Sequence, residues 1–177
     1  MKIYIACGLT HVPRTDFLDY VSVIKNLAAY LENNFNASVK YALRDSDPQL
    51  AEKPFQERAN LCYSWDRQMV EQSDLIIAES SFPSIGLGIE LQIAESRKIP
   101  IIIVFRRTIQ HKAQPINYET PDEKEHFLQL GDGYVSLMAL GIPSVLQVVP
   151  YINSLDLHSS LEEHIVGSDT SCYVLHE

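Results

Sequence analysis

Two uninterrupted apolar runs, DLIIAE at residues 74–79 and IPIIIVF at 99–105, constrain the fold of this chain most strongly. Strands with one face in water alternate apolar and polar residues. Runs this continuous belong to strands covered on both faces. The chain before and between them alternates too. KIYIA (2–6) is a short β-rich run. Phe17, Val21, Ile24, Leu27, Ala28 and Leu31 then recur at helical spacing. SVKYAL (38–43) reads as a second strand and residues 45–54 as a polar loop. Pro54 suits the first turn of a helix reaching about Gln72. A helix over 86–97 joins the two apolar runs. This order predicts a doubly wound parallel α/β sheet.

Residues 106–133 are polar and read as a long irregular loop, a length usually tied to function or motion. YVSLMALG then reads as a short helix, SVLQVV (144–149) as a fifth strand and SLDLHSSLEEHIVG as a closing helix. Residues 168–177 read as a tail. The expectation is one domain over 1–177, with a five-stranded, flavodoxin-like or Rossmann-like parallel sheet and helices on both faces. With 177 residues, 46% of them hydrophobic, the chain suits one domain with a real core.

The net charge of −9 disfavours a nucleic-acid partner, which calls for a basic surface. Cys7, Cys62 and Cys172 are odd in number and widely spaced, which reads as free thiols in a reducing compartment. The six histidines show no metal-ligand spacing, so no metal is expected. MKIYIACG is too short an apolar run for a signal peptide, and IPIIIVF is too short to cross a bilayer. These features predict a cytoplasmic protein without a membrane partner.

Open parallel sheets bind ligands at the carboxyl ends of their strands. Here those ends are residues 7–14, 44–47, 80–88 and 106–112. The stretch SSFPSIGLGIEL combines Gly86 and Gly88, which admit a ligand close to the backbone, with Ser84, which can cap the helix or donate to a ligand oxygen. Free N–H groups at the helix start favour an anion. The pattern is neither GxGxxG nor a Walker loop. Glu90 admits two readings. An acid in the first helical turn stabilises the helix by about 0.3–1 kcal/mol. An ionised carboxylate at the base of a cleft is also a nucleophile for an anomeric carbon. Asp66 falls on or beside the stripe of Phe55, Ala59, Cys62, Met69 and Val70. It needs a partner, such as Arg67 or Arg58, or a raised pKa. Tyr4 reads as a strand aromatic near the carboxyl end and Asp74 as a turn residue. Arg14, Arg106, Arg107, His11, His111 and Lys112 are either solvated loop charge or an anion-binding rim.

Four pieces in order, IYIACG, WDRQMVEQSDLIIAE, PSIGLGIEL and VSLMALG, span residues 2–141. With them the chain resembles the nucleoside 2-deoxyribosyltransferase family, and most of all its 2'-deoxynucleoside 5'-phosphate N-hydrolase branch. The resemblance implies a flavodoxin-like fold, a homodimer with shared sites, and a small nucleotide or nucleoside substrate. No cofactor is expected. It implies that Glu90 attacks the sugar C1', that Asp66 gives a proton to the leaving base, and that Tyr4 orients Glu90. Transferases of the family usually carry Asp at the position of Ser84 and Asn at that of Ser136, where they contact the sugar's 5' end. A carboxylate there repels a 5'-phosphate and a hydroxyl donates to it, so two serines favour a nucleotide. In the family the counterpart of Ser136 comes from the neighbouring subunit. Gly8, with His11 or Arg14, takes the phosphate-binding role of the first loop, although CGLTHVPRTD departs from that branch's Gly-Ser-containing loop. Hydrolysis of the N-glycosidic bond is the leading expectation. Base exchange between deoxynucleosides and a non-catalytic nucleotide sensor are the alternatives.

Overall fold

Both apolar runs become central strands. In the computed structural model, which describes residues 1–167, the sheet is built from β1 (Lys2–Cys7), β2 (Ser38–Tyr41), β3 (Leu75–Glu79), β4 (Ile101–Arg106) and β7 (Val145–Tyr151). Its order is β2-β1-β3-β4-β7 and every pairing is parallel. β3 lies between β1 and β4, and all five of its residues are buried. The order reverses between β1 and β3, and such a switch point opens a crevice at the strands' carboxyl ends.

The helices are α1 (Phe17–Phe35), α2 (Ala42–Asp45), α3 (Asp47–Leu50), α4 (Phe55–Glu71), α5 (Ile85–Ser96), α6 (Leu137–Leu140) and α7 (Ser154–Gly167). Successive residues of a strand face opposite sides, so the sheet has two cores. Ile3, Ile5 and Ile77 pack with Ile24, Leu27 and Leu31 of α1 and Leu157 and Leu161 of α7. Tyr4, Ala6, Ile76 and Ala78 pack on the other side with Leu87, Leu91 and Ala94 of α5 and Val70 of α4. This places Tyr4 beneath α5. It is the third residue of β1, rather than at its carboxyl end.

Three local readings change. The stretch read as polar loop, 45–54, contains α3. Residues 106–133 carry a 3-10 turn (Ile109–His111) and an antiparallel hairpin of β5 (Asn117–Glu119) and β6 (Glu125–Phe127). All six hairpin residues are exposed, and strands of three residues show no burial period that a sequence reveals. Tyr118 and His126 face each other across it, ring edge to face at 5.6 Å. β7 continues through Pro150, which an edge strand tolerates. The tail read over 168–177, with Cys172, lies outside the described residues.

Gly8 follows β1 directly. A Cβ there would stand 2.7 Å from the Ser84 Cβ and 3.3 Å from the Phe82 carbonyl oxygen. The end of β1 and the start of α5 therefore meet only because residue 8 lacks a side chain. Gly8→Ala is expected to cost about 1–3 kcal/mol by overpacking, and to lower Tm by about 2–4 °C for each of those. A thermal melt checks this, and an unchanged Tm contradicts the close approach.

Candidate active site

Ser84 is the N-cap of α5, and its Oγ accepts from the Leu87 N–H at 3.2 Å. Ser136 caps α6 in the same way, accepting from the Ala139 N–H at 3.3 Å. Each hydroxyl has spent a lone pair on its helix and keeps its proton for a ligand. Within one chain both serines line the same cavity, of about 650 Å³, together with His11, Gly88, Leu91 and Tyr134. A Cβ at Gly88 would meet nothing within 4 Å, and one at Gly86 only the Ser84 Oγ at 3.6 Å. The turn presents open backbone to this space, as its glycines suggest.

Tyr4, Glu90 and Asp66 form a second cluster beside α5. The Tyr4 hydroxyl donates to Glu90 Oε1 at 2.7 Å in a buried setting. Glu90 is 8% exposed, and its Oε2 is buried with no hydrogen-bond partner among the described residues. Asp66 Oδ2 accepts from the Cys62 thiol at 3.5 Å, while Oδ1 is buried without a hydrogen-bond partner among the described residues. No arginine pairs with Asp66 in the described structure. Arg67 binds Glu71 at 2.9 Å, and Arg58 binds the carbonyls of Lys53 and Ala51. The salt-bridge reading of Asp66 gives way to the raised-pKa one. Burial lifts its carboxyl above the usual range, while Ser46 and Cys62 pull it back.

The protonation of Glu90 differs from the sequence expectation. α5 begins at Ile85, so Glu90 sits in the second turn, beyond the reach of the helix start. Burial prevails and pushes its carboxyl to about 8; the Tyr4 hydrogen bond lowers it and the Asp66 charge raises it. Tyr4 itself is raised well above its ordinary value by burial and by Glu90, and stays a donor.

The cationic rim comes together only in part. The Arg14 guanidinium lies 5.6 Å from the Phe17 ring centroid, and Arg106 pairs with Asp19 at 2.5 Å. His11 lines the serine cavity. The apolar stripe of α4 is buried only toward its end: Phe55 is 80% exposed, whereas Val70 is fully buried. Glu79 was not singled out by sequence, although a charge ending a buried strand is a visible signal. It is fully buried, accepts from Tyr151 at 2.8 Å and from both the hydroxyl and the N–H of Ser81, and its carbonyl accepts from Tyr20. Ser81 in turn accepts from the Arg106 N–H at 2.8 Å. This network ties the ends of β3, β4 and β7 beneath the serine turn. Asp74 accepts from the Lys2 N–H at 2.7 Å and acts as the turn residue read from sequence.

The chain matches named proteins in sequence. Over 43 residues it is 44% identical to a Syntrophotalea carbinolica protein provisionally named 2'-deoxynucleoside 5'-phosphate N-hydrolase 1, a match covering 24% of this chain and 30% of the relative. Over 106 residues it is 28% identical to the 5-hydroxymethyl-dUMP N-hydrolase of Esox lucius, covering 60% of this chain and 70% of that one. Thus the chain spans under a third of the first relative's length. Among solved structures, the CMP N-glycosidase of Clostridium botulinum aligns over 93% of this chain and 99% of its own, with a TM-score of 0.55 and 16% identity, a likeness of fold. No protein-family model matches. The resemblance read from the four motifs is borne out by these relatives. No described helix is long and apolar enough to cross a membrane.

A carboxyl raised from 4.5 to about 8 binds its proton more tightly in the folded chain. The stability it supports is complete below about 4.5 and is lost as pH climbs toward about 8. Glu90→Gln lacks that loss. It is expected to match the native protein near pH 4.5 and to exceed it by up to about 4 kcal/mol at pH 8.5, measured by urea unfolding. An equal difference at both pH values contradicts the raised pKa.

Proposed function

We propose that this protein hydrolyses the N-glycosidic bond of a (deoxy)nucleoside 5'-monophosphate to a free base and a sugar 5-phosphate. The observation that carries this reading is the buried Tyr4–Glu90 hydrogen bond of 2.7 Å, which leaves Glu90 Oε2 without a partner among the described residues. Tyr4 holds one oxygen and the other is left to react. The names of the sequence relatives support the same chemistry.

The steps follow from those two free oxygens. Glu90 Oε2, ionised, forms a bond to C1' as the C1'–N bond breaks, and the electron pair leaves with the base. Asp66 Oδ1 supplies the proton that the base takes. Water then attacks C1' of the glycosyl ester, Asp66 accepts its proton, and the sugar 5-phosphate leaves with Glu90 restored. The Ser84 and Ser136 hydroxyls and the α5 backbone hold the phosphate, with His11 or Arg14 and the Gly8 loop beside it. Exposed Phe55, Ile85 and Met138, at 80%, 81% and 88%, give α4, α5 and α6 apolar surface that a second copy of the chain covers in this reading.

The reactive state has Glu90 ionised and Asp66 protonated, so the pair carries one proton. The kcat/KM profile is therefore bell-shaped, with an alkaline limb near 8 where that last proton is lost. In Asp66→Asn, Glu90 alone must lose a proton. The profile is expected to become a single rise with pH, with activity about 10²–10⁴-fold lower. Glu90→Gln is expected to lose on the order of 10³-fold or more. The assay is free base released from a panel of nucleoside and deoxynucleoside monophosphates, followed by chromatography. Base release from no monophosphate overturns the reading. Base exchange confined to free deoxynucleosides in the presence of an acceptor base assigns the transferase reaction instead.

A further inference from the structure

The serine cavity does not end at the serines. A second space of about 690 Å³ shares His11, Phe82, Pro83 and Ser136 with it. A phosphate held by Ser84 and Ser136 has this room beside it. The wall changes character across the boundary. Leu87, Leu91 and Ile103 line the first cavity, whereas Gln110, His111, Lys112 and Gln129 line the second. Asp16 is the one carboxylate in that lining among the described residues.

Two buried nitrogens, one on its wall and one on an adjoining space, have no hydrogen-bond partner among the described residues. One is His111 Nδ1, on the wall of the second space. The other is Arg106 Nε, on a third space of about 280 Å³ that shares Phe82, Gln110 and His111 with the second and also meets Asp16 and Asp19. Asp19 engages the Arg106 guanidinium only through Nη1. A buried donor left unmade is costly, and an acceptor arriving with the ligand relieves that cost. Lys112 lies on the wall of the second space as well. Its Nζ lies 5.7 Å from the ring centroid of Tyr134, a ring that lines both cavities and stacks on Phe105 at 5.0 Å. Lys112 and the His111 ring on this opening, with the Arg106 guanidinium on the adjoining space, are the equipment for an anion, in a chain whose net charge is −9.

We propose that the second space receives the distal phosphate of a nucleotide whose proximal phosphate sits at Ser84 and Ser136, so that nucleoside 5'-diphosphates are substrates alongside monophosphates. This rests on the N-hydrolase reading above. The reaction balances in the same way, with the sugar 5-diphosphate replacing the sugar 5-phosphate.

The test compares kcat/KM for matched mono- and diphosphates of the same nucleosides, in the native protein, Lys112→Ala and Lys112→Arg. Diphosphates are expected to release base. Lys112→Ala is expected to lower the diphosphate-to-monophosphate ratio about tenfold, the loss of one charge-assisted hydrogen bond. Lys112→Arg is expected to restore it, and monophosphate turnover reports that each variant is folded. Monophosphate hydrolysis without diphosphate turnover overturns this inference and leaves the N-hydrolase reading standing. A ratio unchanged in Lys112→Ala also overturns it. Base release from neither class overturns both.

Discussion

The hydrogen bond from Tyr4 to Glu90 joins the middle of the sheet to the helix beside it, and the rest of the site is arranged around that contact. It requires β1 to turn its even residues toward α5, which the buried alternation of Ile3, Tyr4, Ile5 and Ala6 achieves. It requires α5 to be capped by Ser84 and to start at Ile85, so that Glu90 falls on the buried face with Leu87, Leu91 and Ala94. It also requires β1 and α5 to approach closely at their ends, which Gly8 permits. A phenol here orients the carboxylate without neutralising it. A lysine or arginine in its place would form an ion pair and blunt the oxygen that has to react.

Two buried glutamates show what distinguishes a structural carboxyl from a reactive one. Both are pushed toward the protonated form by burial. Glu79 has partners on both oxygens and braces three strands. Among the described residues Glu90 has a partner on one oxygen only, and Asp66 likewise keeps one unpaired. A buried polar atom without a partner costs about 1–3 kcal/mol, and two on electrostatically coupled carboxylates are a burden a structural core would shed. A substrate that supplies an electrophilic carbon to one and a basic nitrogen to the other accounts for both.

The framework is legible because burial writes itself into period. The apolar runs of β3 and β4 and the helical spacing of α1 needed no outside knowledge, and Ser84 is an N-cap in the sequence as in the structure. The short hairpin leaves no such trace, since none of its residues is buried. α4 misleads because its apolar stripe continues onto exposed Phe55. The site was only half legible. Glu90 and Asp66 stand out as acids in the wrong company, yet their meeting with Tyr4 was implied by the family resemblance rather than by spacing. The charge state of Glu90 was misread for a geometric reason. A helix starting at Gly86 puts it nearer the positive end, and sequence alone gives no measure of how deeply it is buried.

The central claim is that Glu90 Oε2 becomes bonded to the sugar during turnover. Acid quench of the protein in mid-reaction with a nucleoside monophosphate, followed by peptide mass spectrometry, tests it directly. The account predicts a sugar-phosphate ester on the peptide carrying Glu90, absent from Glu90→Gln, and product sugar released with retained anomeric configuration. Full turnover with no ester on that peptide and inverted configuration would contradict it.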